Sequence, residues 1–209
     1  MADTRTKAKL VKLRHGSIRD LDDCVNLHHV CMPDALITRL GSKVVKAYFR
    51  SILLDPHCTC LLVEFPESAR ICGRIILRKS SRTRNANLLD LWKTSVIAIV
   101  QRPNLIWNVL FESWSNRGGL PQATALIEYV YVHPQARGRG LGHELLVETT
   151  KESARVGARW VCTKTANARL AKHYEIHFGA HVVRRNRGFG GGTTSLVLVW
   201  PTTSMPVEQ

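Results

Sequence analysis

The chain has 209 residues, 44% of them hydrophobic, and a formal net charge of +14. That length supports one well-buried domain over residues 1–209 rather than two full ones, and no apolar run approaches the roughly 20 residues needed to cross a bilayer. Met1-Ala2-Asp3-Thr4-Arg5-Thr6-Lys7 lacks the apolar core of a secretion signal, and six cysteines without a Cys-x-x-Cys pair predict a reduced, cytoplasmic compartment rather than a disulfide framework or zinc.

Taken in order, residues 9–14 alternate as a first strand. Ser17 then caps a helix whose early turns hold Asp20, Asp22 and Asp23. Residues 36–54 carry apolar side chains at helical intervals and predict one or two short helices interrupted near Gly41 and stopped at Asp55-Pro56. Residues 58–65 and 71–78 are apolar, β-rich runs joined by a short polar link, as in an antiparallel hairpin. A fourth strand, 125–132, does not follow directly, because residues 85–118 intervene. Their apolar spacing predicts two helices parted at Pro103, which would serve as extra core, as a dimer contact, or as a lid over the acceptor. Beyond the fourth strand, residues 141–156 read as a helix ended by Gly157, 160–165 as strand five and 167–178 as another helix. Residues 180–184 pair with 194–200 around a glycine-rich connection, and 201–209 form a tail.

Between the fourth strand and the next helix lies the most informative stretch, His133-Pro134-Gln135-Ala136-Arg137-Gly138-Arg139-Gly140-Leu141-Gly142. Glycines at 138, 140 and 142 leave room for backbone N–H groups to face one anion, and Arg137 and Arg139 add positive charge. A dinucleotide fingerprint fails because His143 stands where its third glycine is required. A Walker loop fails for want of Gly-Lys-Ser/Thr. What remains, Arg137-x-x-Gly140-x-Gly142 after Val130-x-Val132-x-Pro134, resembles the acetyl-CoA loop of the GCN5-related N-acetyltransferases. A second motif, Asn167 followed by Tyr174-Glu175, extends the resemblance over nearly the whole chain apart from 85–118.

The resemblance implies an α/β fold with a mixed central sheet splayed between strands four and five, to which residues 85–118 add, outside the resemblance, the helical insertion between strands three and four. It further implies acetyl-CoA as co-substrate, with the pantetheine arm pairing with the backbone of Val130 and Val132 and the diphosphate held by Arg137, Gly138, Arg139, Gly140, Leu141 and Gly142. Asn167 either binds the arm or caps its helix.

Acetyl transfer needs a neutral amine, a stabilised oxyanion and a proton for the departing thiolate. Glu128 shares a strand face with Leu126, Val130 and Val132. A carboxylate there either meets an arginine or acts as a general base, its pKa raised by burial, and many relatives carry their acidic base at this position. The resemblance gives the oxyanion a backbone N–H near Val130 to Val132 and makes Tyr174 the proton donor. The alternative for Tyr174 is a helix tyrosine packed on the sheet. The chain also departs from the family's Tyr-x-x-x-Gly-Phe by one residue, which puts Glu175 forward as the other donor.

The charge excess favours acidic ligands, of which coenzyme A is one, and an anionic small-molecule amine over a polycationic acceptor. Two other readings remain: acetylation of a protein or peptide amine, and a basic RNA- or ribosome-binding protein without activity. The intact loop argues against the latter. The basic clusters at Arg78-Lys79 with Arg82 and Arg84, and at Arg184-Arg185 with Arg187, lack interleaved aromatics and read as solvated loops. His173 and His177 sit one helical turn apart, but Glu175 is misplaced for a His-Glu-x-x-His zinc motif, and they read as ordinary helix residues.

Overall fold

A computed structural model describes residues 12–65, 70–79, 96, 121, 124–186 and 194–203. The expected helical insertion at 85–118 lies outside these residues apart from Val96, and so does most of the tail. The elements are β1 (Lys12–His15), α1 (Leu21–Cys31), α2 (Leu36–Leu40), α3 (Ser42–Leu53), β2 (Cys58–Glu64), β3 (Ile71–Lys79) and β4 (Thr124–Val132). After these come α4 (Leu141–Arg155), β5 (Trp160–Thr165), α5 (Ala168–Phe178), β6 (His181–Asn186) and β7 (Ser195–Pro201). Seven strands form one mixed sheet in the order β1-β2-β3-β4-β5-β7-β6. Among the described residues no helix is long and apolar enough to cross a membrane.

The described residues divide into two compact units, one built mainly from 12–65, 70–76 and 129–146, the other mainly from 77–79, 124–128, 147–186 and 194–203. In the first, β1 runs antiparallel to β2 from Lys12 opposite Glu64 to His15 opposite Leu61. Arg14 on β1 bonds Glu64 through Nε and Asp20 through both terminal nitrogens, while Ser17 donates to the Asp20 carboxylate from its amide and its hydroxyl. Arg14 first, then Ser17, hold the Asp20 carboxyl down at about 2. The network pins the turn into α1.

Val44, Val45, Phe49 and Ile52 of α3 are buried, whereas Lys43, Lys46 and Arg50 face solvent. Each fully buried large apolar side chain of that stripe contributes about 1.5–3 kcal/mol against leaving it exposed. The stripe packs with Cys24, Val25 and Leu27 of α1 on Leu62, Ile76 and Tyr131 of the sheet. Gly73 on β3 is required by close approach: a Cβ there would stand 3.2 Å from Leu145 and 3.4 Å from Val63. The break expected near Gly41 is present, with α2 ending at Leu40 and α3 starting at Ser42.

In the second unit β4 runs parallel to β5, paired from Thr124 opposite Trp160 to Ile127 opposite Thr163, so the ladder stops before Glu128. β7 pairs antiparallel with β5 on one side and with β6 on the other, where a bulge separates Val182 from Arg184. Sequence alone pairs β6 with β7 but does not put β7 next to β5. Two expectations are corrected here. Arg78 and Lys79 lie in β3, and Arg184 and Arg185 in β6, so these four are strand residues, while Arg82, Arg84 and Arg187 of the same clusters lie outside the described residues. Local composition misleads there because a strand accepts a charged residue wherever the ladder continues.

Candidate active site

The loop after β4 opens with a short 3-10 turn over Pro134–Ala136, whose first residues are fixed by the His133 side chain accepting from the Gln135 amide at 3.3 Å. Arg137 folds back so that Nε donates to the Val132 carbonyl at 3.1 Å. Gly138 and Gly140 then adopt φ of 76° and 79°. A non-glycine residue would pay about 1–2 kcal/mol for that left-handed backbone. A Cβ on either would meet no atom within 4 Å, so both glycines face open space.

The Gly140 carbonyl accepts from the amides of His143 and Glu144 at 2.9 and 3.1 Å and so starts α4. From Gly138 to Gly142 no backbone amide donates to another described residue. Five successive amides therefore stand open at the positive end of a 15-residue helix, beside the exposed side chains of Arg137 and Arg139. Unused donors of this kind, with no side chain to fill the hollow, fit a diphosphate.

Along β4 the side chains of Glu128, Val130 and Val132 alternate with those of Tyr129 and Tyr131. Glu128 is half-buried and has the partner that the sequence asked for. Arg78 Nε donates to Oε1 at 2.5 Å and Arg78 Nη2 reaches Oε2 at 3.5 Å. The two residues are fifty apart in sequence and meet because β3 and β4 are neighbours.

Asn167 caps α5, its side-chain oxygen accepting from the Leu170 amide at 3.1 Å. Its side-chain NH2 makes no hydrogen bond among the described residues, so capping leaves that group unused. About two turns later Tyr174 points inward and is 0% exposed, while Glu175 is exposed. Tyr174 stacks on Trp200 at 5.4 Å between ring centroids, inclined by 16°. Its hydroxyl is buried, and among the described residues the Thr163 side chain is its one polar neighbour, too poorly placed to make a full hydrogen bond. Burial pushes the phenol up to about 12, with a small opposing effect from Thr163. A buried, unpaired hydroxyl costs about 1–3 kcal/mol, which a purely structural side chain such as phenylalanine would avoid.

Sequence reasoning passed over one cluster in the first unit. Arg74, inside an otherwise apolar strand, is 0% exposed. Its guanidinium lies 3.8 Å from the Phe49 ring centroid and 4.7 Å from that of Tyr131, and Nη1 donates to the Cys24 carbonyl at 3.2 Å. Nε and Nη2 have no partner among the described residues. Nearby, His28 is also fully buried, with Nδ1 3.3 Å from the Tyr131 hydroxyl. Burial, then the charge of Arg74, then that of His29, push His28 down to about 4. No local signal marks Arg74, since arginine in a strand is exposed by default.

The sequence profile described as the Acetyltransferase (GNAT) family matches residues 21–180. No curated protein sequence matches the chain. Among solved structures, the ribosomal-protein-S18-alanine N-acetyltransferase from Escherichia coli superposes with a TM-score of 0.59 at 11% identity, covering 95% of this chain and 98% of its own. The mosquito arylalkylamine N-acetyltransferase-like 5b gives 0.60 at 14% identity over 91% of this chain and 99% of its own. Arabidopsis thaliana NAA60 in complex with acetyl-CoA gives 0.59 at 16% identity over 91% and 98%. At these identities the likeness is one of fold.

Proposed function

The chain belongs to the acetyltransferase (GNAT) family, and from that premise we propose that it passes an acetyl group from acetyl-CoA directly to the primary amine of an anionic small molecule. The observation that carries the reading is the run of five unengaged amides from Gly138 to Gly142. Acetyl-CoA supplies the activated thioester. The amides, with Arg137 and Arg139, bind its diphosphate, the stretch of β4 beyond its ladder with β5 offers the backbone of Val130 and Val132 to the pantetheine arm, and the side-chain NH2 of Asn167 is a further donor for that arm.

Glu128 takes the ammonium proton, directly or through one water, and Arg78 fixes the carboxylate's orientation while it does so. A backbone N–H near Val130 to Val132 meets the oxyanion. Tyr174 donates the final proton. Its raised pKa makes it a weak acid at rest, but dry surroundings raise the basicity of a departing thiolate as well, so donor and acceptor stay matched. The inward turn of Tyr174 and the exposure of Glu175 favour Tyr174 for this task. The charge of +14 favours an anionic acceptor over a polycation. All six cysteines are free, in keeping with a cytoplasmic setting.

The reading is tested with acetyl-CoA and a library of amines and peptides, scoring free thiol, run beside Glu128→Gln. Carboxylate- or phosphate-bearing amines are expected to give the highest kcat/KM, and Glu128→Gln to lower it about 10²–10⁴-fold, the range of general-base effects. Turnover of peptides alone overturns the acceptor assignment. Absence of acetyl-CoA affinity by calorimetry overturns the whole reading.

A further inference from the structure

On α1 the side chains of Asp23, Leu27 and Val30 share one helical face, which flanks a cavity of about 400 Å³ in the first unit. The rest of the lining comes from the end of β2 and the start of β3, with Phe65, Arg70 and Ile71, and from the turn after β4, with His133 and Gln135. None of the residues assigned to acetyl-CoA or to acetyl transfer lines it. Leu27 and Ile71 are buried and make an apolar floor, whereas Val30 is 50% exposed, area that a ligand's apolar body can take from water. Asp23 and Arg70 carry opposite charges on different elements, and neither side chain makes a hydrogen bond or ion pair among the described residues. An apolar hollow with a few unengaged polar groups is how small-molecule sites are built, and the volume lies in their usual range of about 300–1,000 Å³.

We propose that this cavity binds a small zwitterion with an apolar body, a free apolar amino acid or a dipeptide, and that its occupancy tightens the hold of the neighbouring loop on acetyl-CoA. The ligand's ammonium meets Asp23, and its carboxylate accepts from the planar fork of Arg70. Its side chain covers Leu27, Val30 and Ile71. Asp23 and Val30 stand about 10 Å apart along the helix, which gives room for a dipeptide as well as for a single residue. A polyamine would be repelled by Arg70 and a dicarboxylate by Asp23, so a ligand with one sign of charge is disfavoured.

His133 links the cavity to the loop. Its ring stands edge-on to Phe65, with centroids 6.3 Å apart at 72°, and its Nδ1 accepts from the Gln135 amide at 3.3 Å. That bond assigns the ring hydrogen to Nε2. A ligand carboxylate that also accepts from Nε2–H holds the ring in this tautomer, and so keeps Nδ1 as the acceptor that shapes the turn over Pro134–Ala136. The turn leads directly into Arg137 and Gly138, where the open amides begin. Occupancy therefore favours the loop shape that takes a diphosphate, and by reciprocity acetyl-CoA favours the zwitterion. This coupling rests on acetyl-CoA being the loop's ligand; binding of the zwitterion does not.

The test is calorimetry on the full chain. L-leucine, L-phenylalanine and leucyl-leucine are titrated first without cofactor, beside N-acetyl-leucine, which lacks the cation, and isoamylamine, which lacks the anion. At least one zwitterion is expected to bind about 10-fold or more tightly than either analogue, and Asp23→Asn and Arg70→Gln, both at exposed positions, each to weaken it about as much. The proposal is overturned if no zwitterion binds at millimolar concentration, if an analogue binds equally well, or if either variant keeps full affinity. Acetyl-CoA is then titrated with and without the saturating zwitterion. Its Kd is expected to fall about 5-fold or more in the wild type and to stay unchanged in Arg70→Gln at the same concentration. An unchanged Kd in the wild type overturns the coupling. If acetyl-CoA does not bind at all, the acetyltransferase reading of the loop fails, while the cofactor-free titrations still decide the cavity.

Discussion

The loop before α4 and the inner face of α5 present their polar groups in opposite ways. From Gly138 to Gly142 the groups are main-chain amides, without an acceptor among the described residues and shaped by two left-handed glycines, and no side chain is needed to make them. At Tyr174 there is one side-chain oxygen, closed off from solvent against Trp200 and without a well-formed hydrogen bond among the described residues. A surface built from backbone fails when its shape changes and tolerates much else. A surface built from one atom fails when that atom is deleted, even though the fold is spared.

The sharpest way to break this contrast is Tyr174→Phe, which deletes that atom alone. Turnover is expected to fall about 10²–10⁴-fold, the usual range for a positioned proton donor. The melting temperature should hold or rise, because an unsatisfied buried hydroxyl is removed. Full turnover with chemistry rate-limiting would make Tyr174 a packing residue only.

The same substitution has a signature in alkali. The folded-state phenol is raised to about 12 while the unfolded chain ionises near its ordinary value of 10. Stability is therefore complete below 10 and is lost as pH climbs from 10 to 12, by up to about 2–3 kcal/mol through linkage. Denaturant midpoints across that window should fall more steeply in the wild type than in Tyr174→Phe. Parallel slopes would refute the burial argument.

Gly140→Ala tests the other region. Its Cβ meets nothing, so the change acts through backbone conformation alone, at about 1–2 kcal/mol. Acetyl-CoA should bind about 5–30-fold more weakly by calorimetry, with little change in saturated turnover. Unaltered affinity would mean that the amides are not the diphosphate's donors. Smallest is Arg139→Ala, an exposed charge worth under about 1 kcal/mol. It should weaken binding a few-fold at low salt, and the difference should vanish as salt rises.

Those two regions were also unequally legible. The loop could be read from residues 134 to 142 because its physics is local: glycines where backbone must bend left or lie bare, and a helix directly after. The break at Gly41 and the hairpin of β2 and β3 were legible for the same reason. What escaped depends on chain segments far apart. Glu128 could be placed on a strand face, but its partner Arg78 stands fifty residues earlier and is brought to it by strand pairing. Tyr174 was identified by its spacing from Asn167, yet its stacking on Trp200 needs the strand that inserts beside β5. Arg74 could not be suspected at all, because its burial is a property of α1, α3 and β4 together.

That insertion of β7 has a further meaning for how the protein is made. β5 and β6 are both synthesised before β7, yet β6 has no sheet neighbour and β5 has only β4 until β7 arrives between them. On the ribosome, then, β5 waits with an open edge while α5 and β6 emerge, and pairing across such a sequence gap is slow. During that interval the nascent chain carries a strand edge competent to recruit another polypeptide, so yield in a crowded cell is set by how long β5 goes uncapped.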